Sequence, residues 1–122
     1  MINQARQDLK ELLQGQFDPE TVHAFPPDRL ESPAVIIDTA PTVENGDTYG
    51  SYHIGFKIML IAASAGDTEI EVNNLDEMVS RLIQALDTCE MSGGSPFIAQ
   101  GADGQQFLAY EITASTNYRK EN

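Results

Sequence analysis

The chain is short of the residues that most often carry reactive chemistry or crosslinks. Its 122 residues include one cysteine, two histidines and no tryptophan. A single cysteine, Cys89, cannot form an internal disulfide and cannot build a metal cluster, which fits a reducing compartment. No apolar run approaches the ~20 residues that span a bilayer, and "MINQARQDLKELL" lacks the basic and then apolar profile of a signal peptide. We therefore expect a soluble, unexported protein that does not bind a membrane.

Basic residues are also scarce. Seven lysines and arginines face 19 acidic residues, which gives a formal net charge of −12. Such a field repels phosphate and argues against specific binding of nucleic acid. Two interpretations remain open: an acidic surface that only keeps the protein in solution, or one that lines a conduit through which DNA passes without adhering. The length predicts a single domain over residues 1–122.

No familiar catalytic or ligand-binding motif is present. The sequence lacks the G-x-S-x-G elbow, the Walker A loop and the G-x-G-x-x-G loop, and His23 and His53 stand apart from any metal-binding spacing. Cys89 follows a predicted helix and precedes Glu90, so the helix dipole and a like charge should raise the pKa of its thiol. We predict no catalytic, cofactor-binding or metal site, and therefore a protein that binds other proteins rather than an enzyme.

The first predicted helix runs from Ile2 to Gly15. Its apolar residues recur every three or four positions, and glycine commonly follows the end of a helix. We expect its charged residues to lie off the buried stripe. These residues are Arg6, Asp8, Lys10 and Glu11.

The second predicted helix spans about Ile70 to Thr88. Thr68 and Glu71 form the pattern of a capping box at its start. Three turns of apolar spacing predict a stripe that docks on a sheet. The stripe consists of Leu75, Met78, Val79, Leu82, Ile83 and Leu86.

Three strands are predicted before the second helix. "TVHAF", residues 21–25, is a short edge strand that two prolines stop, and "PAVIID", residues 33–38, is a strand buried on both faces. The third strand, from about Thr48 to Ala63, is apolar at every even position from Tyr52 onward, whereas its odd positions change from polar to apolar at Met59. Between the last two strands, "TAPTVENGD", residues 39–47, is predicted to be a loop and a candidate projecting arm.

Two strands are predicted after the second helix. "EMSGGSP", residues 90–96, is interpreted as a flexible connector. "FIAQGA" and "QQFLAYEITASTNY" then form a hairpin around Asp103 and Gly104, the strongest hairpin signal in the chain.

The predicted order is α-β-β-β-α-β-β, an α+β fold with α/β two-layer packing on a mainly antiparallel or mixed sheet. The second helix should cover the even face of the long strand. The apolar end of its odd face, at Met59 and Ile61, requires either the first helix or a neighbouring subunit.

Taken in this order, the segments are similar to those of a known family of proteins. The chain resembles the tail terminator proteins of long-tailed phages with non-contractile tails, the kind typified by phage lambda. The resemblance rests on "QARQDLKELL", "SPAVIIDTAP", "GDTYGSYHIGFKIMLIA", "NNLDEMVSRLIQAL" and "FIAQGADGQQFLAYEITASTNY". It covers nearly the whole chain, and none of these segments is a catalytic signature.

The resemblance implies a structural virion protein. Its subunits would form a homohexameric ring at the head-proximal end of the tail, after assembly in the host cytoplasm. The ring would stop elongation of the major tail tube protein and provide the surface for the head completion or connector protein, with DNA passing through it and no cofactor. We predict that Asn45, Gly46, Asp47 and Tyr49 touch a neighbouring subunit or the tube.

Two alternatives stay open. The nearer is a head completion or stopper protein, which would act on the head side of the same joint. The farther is a small enzyme or ligand-binding domain whose site is built from scattered residues such as His23, His53 and Glu111.

Overall fold

The fold combines two helices with one six-stranded mixed sheet. The structure is a computed structural model that describes residues 2–39, 41–46, 48–101 and 104–119, with only the backbone at residue 119. The helices are α1 (Ile2–Gln14) and α2 (Thr68–Ala85), a 3-10 turn covers Pro19–Thr21, and the strands are β1 (Val22–His23), β2 (Ala34–Ile37), β3 (Thr42–Asn45), β4 (Ser51–Ile61), β5 (Glu90–Gln100) and β6 (Gln106–Arg119).

Strand β4 organises the sheet. The strand order is β1-β2-β4-β6-β5, and β3 pairs with β4 on the same side as β2. Strand β1 is parallel to β2, whereas the other pairs are antiparallel. All 11 residues of β4 have partners in β6. The predicted α+β class is confirmed at this level.

Both helices contribute to one buried cluster with the even side of β4. The predicted alternation of β4 is confirmed, because Ile54, Phe56, Ile58 and Leu60 are at most 2 % exposed. They pack with apolar residues of both helices and of β2 and β6. Helix α2 therefore covers the even side of β4 as predicted, and α1 lies on that same side. The helix residues in this cluster are Ala5, Leu9, Leu13, Leu82, Ala85 and Leu86.

A second, smaller cluster closes the apolar end of the odd side of β4. Ile61 is 1 % exposed, and Met59 packs against the cluster. Leu30, from the β1–β2 connection, and Phe97 and Phe107, from β5 and β6, belong to the same group. The prediction that this end needs the first helix or a neighbouring subunit is wrong for Ile61, because the chain covers it with its own residues.

The predicted loop over residues 39–47 contains a strand. Residues 42–45 form β3, with Thr42 opposite Gly55 and Asn45 opposite Tyr52. All four residues are exposed, so the strand carries no alternating burial pattern that sequence could reveal. In the described residues, four strands rather than three precede α2. The segment predicted to be a projecting arm forms β3 and the turn after it.

The predicted flexible connector over residues 90–96 is also wrong. It belongs to β5, which pairs with β6 through a register shift between Ser92 and Ser95. Gly93 has φ +68°, and a Cβ on Gly94 would lie 2.6 Å from the Tyr110 hydroxyl. These glycines are therefore the residues of a β-bulge rather than of a linker.

Helix α2 is capped by Asp67 rather than Thr68. The Asp67 carboxylate accepts a hydrogen bond from the Glu69 backbone N–H at 2.9 Å, and the Glu71 carboxylate accepts one from Ala65 N–H at 3.0 Å. The predicted capping box of Thr68 and Glu71 is wrong, because Thr68 is the first helical residue and Glu71 accepts from a residue before the cap. Carboxylates nevertheless satisfy backbone donors near the helix start.

The stripe of α2 docks less deeply than predicted. Leu82 and Leu86 are fully buried, Leu75, Met78 and Val79 are half-buried, and Ile83 is 49 % exposed. In the described residues, neither helix has both the length and the apolar character needed to cross a bilayer.

The prediction that Arg6 lies on the solvent side of α1 is wrong. The residue is 4 % exposed. Its Nη1 donates to the carbonyls of Ala24 at 2.6 Å and Asp38 at 2.9 Å, and its Nη2 donates to the carbonyl of Thr39 at 3.2 Å. Three backbone acceptors and no carboxylate therefore surround a buried cation, which requires the planar, multiply donating guanidinium.

Two aromatic rings complete the surroundings of this guanidinium. Its central carbon lies 4.3 Å from the centroid of Phe25 and 4.8 Å from that of Phe56. The ring faces carry partial negative charge and offset part of the cost of removing the cation from water. Helix α1 is thus joined to the end of β1, the end of β2 and the middle of β4 through one side chain.

We expect Arg6→Ala to lower the free energy of unfolding by about 3 kcal/mol, because a buried side chain and its three part-buried hydrogen bonds to backbone carbonyls are lost. Arg6→Lys should fail to restore stability, since an ammonium cannot reproduce the fork and the ring stacking. Urea denaturation measures both. Arg81→Ala is the control, because its ion pair with Glu77 is exposed and should contribute less than about 0.5 kcal/mol. Equal losses at the two arginines would contradict the assignment.

Candidate functional site

The β3–β4 hairpin ends in a turn held by local hydrogen bonds. Gly46 N–H donates to the Ser51 carbonyl at 2.9 Å, and Ser51 N–H donates to the Thr48 carbonyl at 3.1 Å. The Ser51 hydroxyl donates to the same Thr48 carbonyl at 2.7 Å and accepts from the Thr48 hydroxyl at 3.1 Å. Gly50 has φ +82°, a conformation that favours glycine. These contacts link Gly46 and Thr48 to Ser51, the first residue of β4.

Tyr49 stands at the apex of this turn. Its relative accessibility is 105 %, so the side chain is fully exposed. Aromatic side chains buried at protein interfaces often supply much of the binding energy, because they cover a large area at a low cost in side-chain entropy. A fully exposed tyrosine on a hydrogen-bonded turn therefore has the properties of an interface anchor.

The predicted interface residues fall in one place, with one exception. Asn45 ends β3, Gly46 opens the turn and Tyr49 is its apex. Asp47 lies outside the described residues. Val43, 45 % exposed on β3, adds an apolar side chain that the sequence interpretation missed because it assigned the segment to a loop. We refer to Val43, Asn45, Gly46 and Tyr49 as the hairpin tip.

The scattered residues of the enzyme alternative do not converge. His23 lies in β1 at one edge of the sheet, His53 pairs with Glu44 and Asn117, and Glu111 pairs with Met59. Glu111 lies opposite Met59, which is six residues from His53 along β4. This step corresponds to roughly 20 Å. The Glu111 carboxylate instead lies 3.7 Å from the Lys57 ammonium.

His53 lies in a polar depression of about 300 Å³, on the side of the sheet that the odd residues of β4 face. Glu44 and Glu90 line it together with serine and threonine hydroxyls, and no lysine or arginine does. Within the described ranges, no group of three or more histidine, cysteine or acidic residues is placed to hold a metal ion. The depression therefore presents hydrogen-bonding groups without a visible catalytic arrangement.

Cys89 is half-buried just after α2. Burial is the largest cause that raises the pKa of its thiol, a hydrogen bond with Thr88 opposes the rise, and the charge of Asp87 adds to it. The predicted direction is confirmed. The causes differ, because the prediction relied on the helix dipole and on Glu90.

The sheet has open edges on opposite sides. In the described part of the chain, β5 pairs only with β6, and β3 pairs only with β4. Each outer edge presents backbone N–H and C=O groups that another strand or chain could pair with. Near the β5 edge, Ile98 is 53 % exposed, whereas Val43 lies on the β3 edge.

Comparison of the chain with protein families finds no family model that matches, and comparison with curated proteins finds no match.

We expect Tyr49→Ala to change the free energy of unfolding by less than about 0.5 kcal/mol, because the side chain is fully exposed. Tyr52→Ala, three residues along the hairpin and packed against the core, should cost about 2 kcal/mol. Urea denaturation of the two variants compares them directly. A large loss for Tyr49→Ala would mean that the tyrosine stabilises the fold rather than serving as an anchor.

We expect alkylation of Cys89 by iodoacetamide to be slow at pH 7 and to rise about tenfold per pH unit up to pH 9, because the thiolate is the reactive form and the pKa is raised. Mass spectrometry of the intact chain follows the reaction, with glutathione as the exposed thiol control. A rate that levels off below pH 8 would show that the pKa is not raised.

Proposed function

We propose that the chain is a tail terminator subunit: a small two-layer α/β protein that forms a homohexameric ring on the head-proximal end of a phage tail tube. The ring stops elongation of the tube and provides the surface that joins the head. The observation that carries the proposal is the exposed Tyr49 on its hydrogen-bonded turn. This feature suits a protein whose task is to contact other proteins.

The open edges of β5 and β3, two of the three outer strands of the described sheet, support assembly into a ring. A head-to-tail contact joins two different surfaces of neighbouring copies, and repetition of that contact closes a ring when the rotation permits. The β5 edge and the β3 edge differ in length, with 11 and 4 residues. They therefore supply two unlike surfaces on opposite sides of each subunit, with Tyr49 beside the shorter one.

The charge of the chain supports the same role. A net charge of −12 repels DNA phosphates, which suits a ring through which DNA must move freely. Among the side chains that the structure describes, no lysine or arginine lines the polar depression with Glu44, His53 and Glu90, which offers little attraction to a phosphate backbone.

A stop codon placed early in the gene of the parent phage tests the role, with electron microscopy of the lysate as the readout. Abnormally long tubes that are not attached to filled heads are expected. Tails of normal length beside unattached heads would instead assign the protein to the head side of the joint, as a completion or stopper protein. Normal infectious particles would refute both virion roles.

Complementation of that mutant tests the hairpin tip. We expect Tyr49→Ala to reduce the yield of infectious particles at least tenfold, because loss of an anchor residue commonly costs ~2 kcal/mol or more per contact. Tyr49→Phe should retain most of the yield because it keeps the ring.

The control is Ile70→Ala, which truncates a large apolar residue of α2 that is 49 % exposed. Full yield from Tyr49→Ala, at equal protein levels, would show that the tip is not a required contact.

A further inference from the structure

A groove of about 400 Å³ opens between α1, residues 54–56 of β4 and residues 114–118 of β6. Its floor consists of Ile54, Phe56 and Ala114, which are at most 3 % exposed. Leu12 of α1 and the Cys89 side chain line the same space. Leu12 remains 37 % exposed although it continues the apolar stripe of its helix. We call this space the α1 groove, and its apolar floor and its size are those of a binding site for a large side chain.

The rim of the α1 groove is acidic. Asp8 and Glu11 lie along it, and none of the lining residues whose side chains the structure describes is a lysine, arginine or histidine. Asp8 is held in position, since Tyr118 Oη donates to its Oδ2 at 2.9 Å and Gln4 Nε2 donates to its Oδ1 at 2.8 Å. Burial and the neighbouring Asp8 raise the pKa of Tyr118, so its phenol keeps the proton that it donates. An oriented carboxylate beside an apolar floor favours a ligand that is both apolar and cationic.

A second copy of the chain is poorly suited to this groove. Of the cationic side chains that the structure describes, Arg6 is buried, Lys57 lies near Glu111 and Arg81 pairs with Glu77, which leaves Lys10 and Arg29 to meet an acidic surface. The copy would also bring a net charge of −12 towards an acidic rim. Charge complementarity therefore favours a different protein, one with basic residues beside an apolar side chain.

We propose that the α1 groove binds a segment of a heterologous protein in which a leucine or phenylalanine side chain fills the apolar floor and an adjacent lysine or arginine pairs with Asp8 and Glu11. The segment contacts the chain through side chains, since the floor consists of β4 and β6 residues whose backbone groups are already paired. This inference does not rest on the ring, because the groove lies within one chain.

The test uses the full chain and a capped Ala-Arg-Leu-Phe-Arg-Ala peptide carrying fluorescein. We expect fluorescence anisotropy to give a dissociation constant below about 1 mM. Cys89 reports whether the peptide occupies the groove. At five times the dissociation constant, its alkylation by iodoacetamide should slow about sixfold, because the unoccupied fraction is 1/(1 + [L]/Kd).

Matched peptides and variants decide the outcome. A peptide with glutamates in place of the arginines should not bind. Glu11→Gln should weaken binding of the arginine peptide about threefold to fivefold, whereas Asp76→Asn, an equal change of charge on the exposed side of α2, should leave it unchanged.

Three results would overturn the proposal. The first is no binding, or equal binding of the glutamate peptide. The second is binding without protection of Cys89, which would locate the peptide elsewhere. The third is equally tight binding of phenethylamine alone, which would assign the groove to small amines rather than to a protein segment.

Discussion

The buried guanidinium of Arg6 is the contact on which the arrangement of the chain around β4 depends. Strands β2 and β3 share one side of β4 but differ in register: the step from Ile37 to Thr42 is five residues, whereas the opposite step from Ile58 to Gly55 is three. The ladder must therefore break between them. Arg6 donates to the carbonyls of Asp38 and Thr39 at this break, so the guanidinium supplies donors to two part-buried carbonyls where the ladder does not.

The same break determines where the candidate surfaces lie. Beyond it, the sheet continues as β3, the first half of β4 and the second half of β6. The hairpin tip, the polar depression and the α1 groove all belong to this extension. This half of the sheet therefore carries the candidate surfaces, while its residues Ile54, Phe56 and Ala114 still belong to the main core cluster. A single helix residue fixes the junction between this half and the rest of the sheet.

Sequence patterns predicted the elements whose burial is periodic. The four residues of β2 are all buried, and Leu82 and Leu86 dock as their spacing indicates. Exposed β3 gave no pattern, and Gly93 and Gly94 suggested a linker because a bulge is recognisable only beside its partner strand. Arg6 follows the spacing of Leu9 and Leu13 at i, i+3 and i+7, but its charge suggested solvent. The carbonyls that hold it come from distant segments that local sequence cannot reveal. The Asn45 to Tyr49 segment was assigned less well, because Asn45 belongs to β3 rather than to a loop, and Thr48 and Tyr49 precede β4 rather than lie in it.

The charge of the chain limits how its copies can meet. At physiological ionic strength the Debye length is about 8 Å, so the net charge of −12 repels a second copy mainly at close range. Contact between copies must then depend on short-range apolar burial, for which Tyr49 and Val43 provide exposed area. A partner with basic residues would be attracted by the negative charge that repels a second copy. In the proposed ring, a template that holds several subunits side by side would supply the proximity that their own charge opposes.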